Sequence, residues 1–272
     1  MDALRQVDAW PAEHVSVAVV DATGAIAAHG PDDHVYRYAS VTKLFTAIAA
    51  LVALEEGVVD LEDAAGPPGS TLRHLLAHAS GLPMEHGPPI ARPGERRIYS
   101  NQGFETAADH VAVAAEMPFA DYLRGAVFEP LGLGLALEGS PAGREWALGG
   151  TIGDTVALGR ELLAPTLVAA ETLAEATSVQ FPGLVGVLPG YGRQEPNDWG
   201  LGIELRDGKS PHWTGSRNSP RTFGHFGASG TFVWVDPDAQ LALVGLTDLA
   251  FGDWAVQAWP ALADAVLAEA RA

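Results

Sequence analysis

Strand-like sequence stands at both ends of this chain, and helix-like sequence fills the middle. "VSVAVVDATGAIAAHG" (15–30) reads as two strands around an Asp21-Ala22-Thr23-Gly24 turn. "WGLGIELRDG" (199–208), "RTFGHFG" (221–227) and "SGTFVWVDPDAQLALVGLTD" (229–248) are β-rich, the last broken by an Asp236-Pro237-Asp238 turn. Strands from the two ends can share one sheet only if everything between them is an excursion. The pattern therefore predicts an α+β fold: an antiparallel sheet built from both termini, flanked by helices, with an inserted helical lobe. We expect one domain over residues 1–272. Its α/β lobe takes about 1–58 and 199–272, and its helical lobe about 59–198.

Within the excursion, residues 44–54 are apolar on nearly every face, as in a helix buried at a core, and Gly57 is placed to cap it. Ser70 is the expected N-cap of a short helix ending near Ala79. Residues 84–101 and 182–198 read as loop. Helical patterns follow at about 101–116, 119–128 and 153–176, with Pro118 and Pro130 as breaks, and a final amphipathic helix covers about 253–270.

Composition narrows the function. The 272 residues carry a formal net charge of −18, which opposes nucleic acid and anionic membranes as partners. There is no cysteine, so thiolate catalysis and Cys-ligated metals are excluded. No apolar stretch is long enough to span a bilayer. The N-terminus lacks a secretory pattern, so a cytoplasmic location is expected.

The sixteen fixed cations are arginines except for Lys43 and Lys209. Lys43 stands three residues after Ser40, in "YASVTKLFTA", so both fall on one helical face. An alcohol needs its proton removed before it attacks. A partly buried lysine can be shifted to accept that proton, whereas arginine cannot. In "RIYSNQGF" (97–104), Tyr99 can share a proton with a lysine and serve as base to a serine, and Asn101 can bind substrate or Lys43, or cap the helix. In "GHFGASGTF" (224–232), the glycines let a substrate approach the strand end, where the N–H groups of Ala228 and Ser40 would stabilise an oxyanion.

Taken together, Ser-x-x-Lys, Tyr-x-Asn and His-x-Gly in this order resemble the penicillin-recognising serine hydrolases. The likeness is to the branch holding class C β-lactamases, DD-peptidases and family VIII esterases. "LLAHASGLP" (75–83) and "FEPLGL" (128–133) are also similar to that branch, over roughly residues 14–270. The resemblance implies a β-lactamase/transpeptidase-like fold and an acyl-enzyme on Ser40. It implies a proton relay of Lys43 and Tyr99, and a substrate site of Asn101, His225, Gly227 and Ala228. It implies no cofactor and no metal. Phe226 departs from the pattern, since a Thr or Ser is typical there and its hydroxyl helps hold a substrate carboxylate. That shifts the expected substrate to a small neutral ester or amide. The alternatives are a transacylase, a β-lactamase or D-Ala-D-Ala carboxypeptidase, and an inactive binding module.

Other patterns carry less. His74 and His78 are spaced for zinc but lack a third ligand. Gly227-Ala228-Ser229-Gly230 misses the nucleophile-elbow pattern at Thr231, and Gly132-Leu133-Gly134 lacks the third glycine of a dinucleotide fingerprint.

Overall fold

The computed structural model describes residues 1–138 and 147–271, and the chain divides into two compact units. One comprises Met1–Thr42, Leu133–Pro165 and Arg206–Ala272; the other comprises Lys43–Gly132 and Thr166–Leu205.

The first unit holds the sheet drawn from both ends of the chain. Strand β1 (Val15–Asp21) turns into β2 (Gly24–His29), and the Asp21 carboxylate closes the turn by accepting from the Thr23 N–H and hydroxyl. Strands β3 (Phe223–Gly227), β4 (Thr231–Asp236) and β5 (Leu241–Thr247) come from the other end. All pairings are antiparallel, in the order β2-β1-β5-β4-β3. The join between the two ends is β1 on β5, from Val15 opposite Thr247 to Val20 opposite Ala242. Every residue of β5 is buried, as expected of a central strand covered on both faces.

Helix α1 (Thr42–Glu55) opens the second unit, and α2 (Asn101–Ala114) follows within it. Its residues from Leu44 to Ala53 are almost all buried, as an all-round apolar surface requires. Gly57 ends the helix with φ +70°. The α2 helix packs against a short helix, Leu72–Leu76. Back in the first unit, α3 (Ile152–Leu163) lies on β1 and β5. Gly159 faces Val244 there, where an added Cβ would come within van der Waals contact, 3.4 Å from the Val244 Cγ1. The closing helix α4 (Asp253–Ala270) sets Trp259 against Phe232 and Phe226.

Three expectations change. Thr71, not Ser70, caps the short helix, because its hydroxyl and N–H meet the His74 ring in a reciprocal box. The 153–176 pattern splits into α3 and Ala170–Ala176 around Pro165, where the ring cannot continue a helix. Residues 182–198 contain a small hairpin, Gly186–Leu188 against Gly192–Gln194, too short to show a period in sequence. Among the described residues, no helix is long and apolar enough to cross a membrane.

Candidate active site

Ser40 lies in a 3₁₀ turn, Ala39–Val41, that runs directly into α1. The residue before it, Ala39, has φ +45°, a conformation unfavourable for any side chain with a Cβ. The surroundings hold it there. The Tyr38 N–H donates to the Leu148 carbonyl at 2.8 Å, and the Tyr38 carbonyl accepts from the Val41 N–H and the Thr231 hydroxyl. The Tyr38 side chain is fully buried, and its hydroxyl donates to the Thr151 carbonyl at 3.0 Å. Burial pushes that phenol well above its ordinary range.

The end of β3 lies against this turn. A Cβ on Gly227 would sit 2.3 Å from the Tyr38 carbonyl oxygen and 3.2 Å from the Ala39 Cβ, so only glycine permits the approach. Ser229 donates to the Arg37 carbonyl at 2.6 Å, and the Ala228 carbonyl accepts from the Phe251 N–H. Ala228 itself is exposed at the strand end. His225 is buried, with Nδ1 2.7 Å from the Phe226 carbonyl, which only an Nδ1–H can satisfy. Phe226 is buried among Trp213, Phe251 and Trp259.

The second unit brings Lys43, Tyr99 and Asn101 together. The Lys43 ammonium donates to Asn101 Oδ1 at 2.7 Å and lies 5.0 Å from the Tyr99 ring centroid. Asn101 Nδ2 donates to Glu85 Oε1 at 3.2 Å. The cap of α2 is Ser100, whose hydroxyl accepts from the Gly103 N–H at 2.9 Å. Asn101 is thereby left to face Lys43 rather than to cap.

Several residues behind this trio were not singled out from sequence for these tasks. His78 accepts the Ser100 N–H at Nδ1 and packs its ring on Tyr99, Phe104 and Trp199. Pro83 and Met84 carbonyls accept from the Ser100 hydroxyl and the Asn101 N–H. Gly81 is forced, since a Cβ there would lie 2.0 Å from the Ala91 carbonyl oxygen. "LLAHASGLP" is thus the backrest of Tyr99-Ser100-Asn101. Arg97, in a segment that reads as surface loop, is buried and donates to the carbonyls of Ala77, Gln180, Phe181 and Asn197. Burial pulls its guanidinium down to about 10. No local pattern announces such a residue, because its acceptors come from distant segments. Arg221, near β3 in the chain, is exposed and paired with Asp238.

Comparison with known proteins follows the same lines. The Beta-lactamase family profile matches residues 13–267. A crystal structure described as a β-lactamase from Mycobacterium bovis is 55% identical, covers 98% of this chain and 99% of its own, and superposes with a TM-score of 0.96. A simvastatin synthase mutant from Aspergillus terreus shares the fold at 19% identity and TM-score 0.77, covering 99% of this chain and 94% of its own. Penicillin-binding protein 4* of Bacillus subtilis is 30% identical over 131 residues, 36% of this chain. That match spans only 29% of the penicillin-binding protein's length.

Proposed function

Since the chain belongs to the β-lactamase family of serine hydrolases and acyltransferases, we propose that it forms an acyl-enzyme on Ser40 from a small neutral ester or amide. The observation that carries this reading is the Lys43 ammonium held 2.7 Å from Asn101 and against the Tyr99 ring, one turn of chain beyond Ser40.

In the proposed reaction, the Ser40 hydroxyl attacks the substrate carbonyl carbon and its proton passes to Lys43 or Tyr99. The N–H groups of Ser40 and Ala228 take the oxyanion. The carbon–heteroatom bond then breaks, and the leaving group receives the relayed proton. Water attacks the ester on Ser40, the relay takes the proton of that water, and Ser40 leaves reprotonated. Asn101 keeps Lys43 directed at the relay, and His225 and Gly227 form the wall along β3.

Position 226 supports the neutral substrate. The side chain there is a phenyl ring committed to an aromatic cluster, so it supplies no hydroxyl to a substrate carboxylate. The Mycobacterium protein's description as a β-lactamase makes β-lactams the necessary comparison.

Intact-mass analysis after incubation with p-nitrophenyl esters, amides, thioesters and β-lactams tests this reading. An acyl adduct is expected with short-chain esters and none with Ser40→Ala. Equal labelling of both proteins by a fluorophosphonate probe would remove Ser40 as nucleophile. Preferential turnover of β-lactams would overturn the neutral-substrate assignment, and product appearing on an added alcohol or amine would establish acyl transfer.

A further inference from the structure

A second constellation of chemistry-bearing side chains lies at the end of the sheet, wholly within the first unit. His14 precedes β1, Asp248 follows β5, and His34 comes from the segment after β2. The pairing of β1 with β5, Val15 opposite Thr247, brings His14 beside Asp248. One possible ligand atom from each of His14, His34 and Asp248 lies within 4.8 Å of the others.

The three are arranged by their surroundings. The Asp248 carboxylate accepts from the N–H groups of Glu13 and His14, at 3.0 and 3.1 Å, and from His14 Nδ1 at 2.8 Å. Burial would raise the carboxyl of Asp248, but these hydrogen bonds outweigh it and hold the group below the usual carboxylate range. Three of its roughly four lone-pair sites are then used, leaving capacity on Oδ1. The His34 ring stacks on His14 at 4.1 Å, nearly parallel, and meets Tyr36 at 4.5 Å. The atoms His34 has to offer a ligand are its ring nitrogens. His14 and Asp248 are 40% and 30% exposed, so solvent reaches them. A cavity of about 300 Å³, lined by Asp8, Trp10, Glu13, His14 and His29 among others, opens beside His14.

We propose that His14, His34 and Asp248 form a binding site for a divalent transition metal of the zinc type. Two imidazoles and one carboxylate suit this class better than calcium or magnesium, which prefer oxygen donors. Ligands about 3.3 Å apart surround a tetrahedral ion with bonds of about 2.0 Å, and since an imidazole ligates in its own plane, one of the two stacked rings must turn out of the stack to complete the site. The metal replaces the Nδ1 proton of His14, and that proton reappears on Nε2 by exchange with solvent. The imidazole stays neutral, and the metal keeps at least one position for water. The ion ties three separated chain segments together, so it stabilises the fold without entering the Ser40 reaction.

The test is calorimetric titration of the full chain with Zn²⁺ after dialysis against a chelator, together with thermal melts. The wild type is expected to bind one ion saturably and to melt higher with zinc. His34→Ala and Asp248→Asn should each weaken binding about tenfold or more and lose the zinc-dependent rise. His86→Ala, at an exposed histidine elsewhere, should bind as wild type. Co²⁺ should give visible d–d bands with the wild type that His34→Ala abolishes. Affinity should fall on going from about pH 7.5 to about pH 5.5, since only unprotonated imidazole ligates. No saturable site in the wild type, or binding by His34→Ala equal to wild type, would overturn the proposal. Because neither readout uses activity, failure of the acyl-enzyme reading would leave this test intact.

Discussion

At the scale of single residues, small distances set what each position tolerates. Lys43→Arg keeps the charge and the donor to Asn101 but removes a titratable amine. If the amine takes the Ser40 proton, kcat should fall by about 10²-fold or more with KM little changed. Near-normal turnover would reduce Lys43 to a source of charge. Gly227→Ala places a methyl 2.3 Å from the Tyr38 oxygen and 2.6 Å from the Thr231 hydroxyl oxygen. It should cost about 1–3 kcal/mol in denaturant melts and lower kcat as well, because the turn that yields also carries Ser40. Arg97 has no contact with the proposed reacting atoms, yet it gathers four backbone carbonyls just before Tyr99. Arg97→Met strands those acceptors and should destabilise by about 3 kcal/mol or more, read from the unfolding midpoint.

Elements act by bringing short segments into register. The β3 strand alternates so that Phe226 enters a cluster with Trp213, Phe251 and Trp259. Phe226→Thr therefore tests two things at once. Removing the ring from this cluster should cost about 3–5 kcal/mol. Any gain in β-lactam turnover must be measured on protein shown to be folded, by near-UV circular dichroism at the assay temperature. The first turn of α2 works differently: Ser100 takes the cap, which spares the Asn101 side chain for Lys43 and Glu85. The Tyr-x-Asn spacing was legible in sequence. The division of labour between Ser100 and Asn101 was not, since both are good capping residues and neighbouring segments decided between them.

Over the whole molecule, the strand-helix-strand order was enough to predict a sheet shared by both ends. The β1–β5 pairing realises it. Burial also sets an alkaline limit. Tyr38 and Tyr191 are held neutral in the fold above the usual phenol range, chiefly by burial. Unfolded phenols ionise near pH 10, so the stability these two contribute is complete below that value and is lost as pH rises beyond it. Denaturant midpoints should be flat from about pH 8 to 9.5 and fall above about 10, less steeply in Tyr191→Phe. An unchanged slope in that variant would exclude Tyr191 as a source. The sequence by itself determined the fold class and singled out Ser40, Lys43, Tyr99 and Asn101 as the proposed site. Apolar periodicity and short motifs are local, so they can be read along the chain without knowing its contacts. Only the tertiary structure decided that Arg97 is buried, that His78 supports Ser100, that Phe226 belongs to a core cluster, and that His14, His34 and Asp248 meet. Each of those depends on contacts between segments far apart in the chain, where hydrogen-bond satisfaction and packing, not local preference, select the partner.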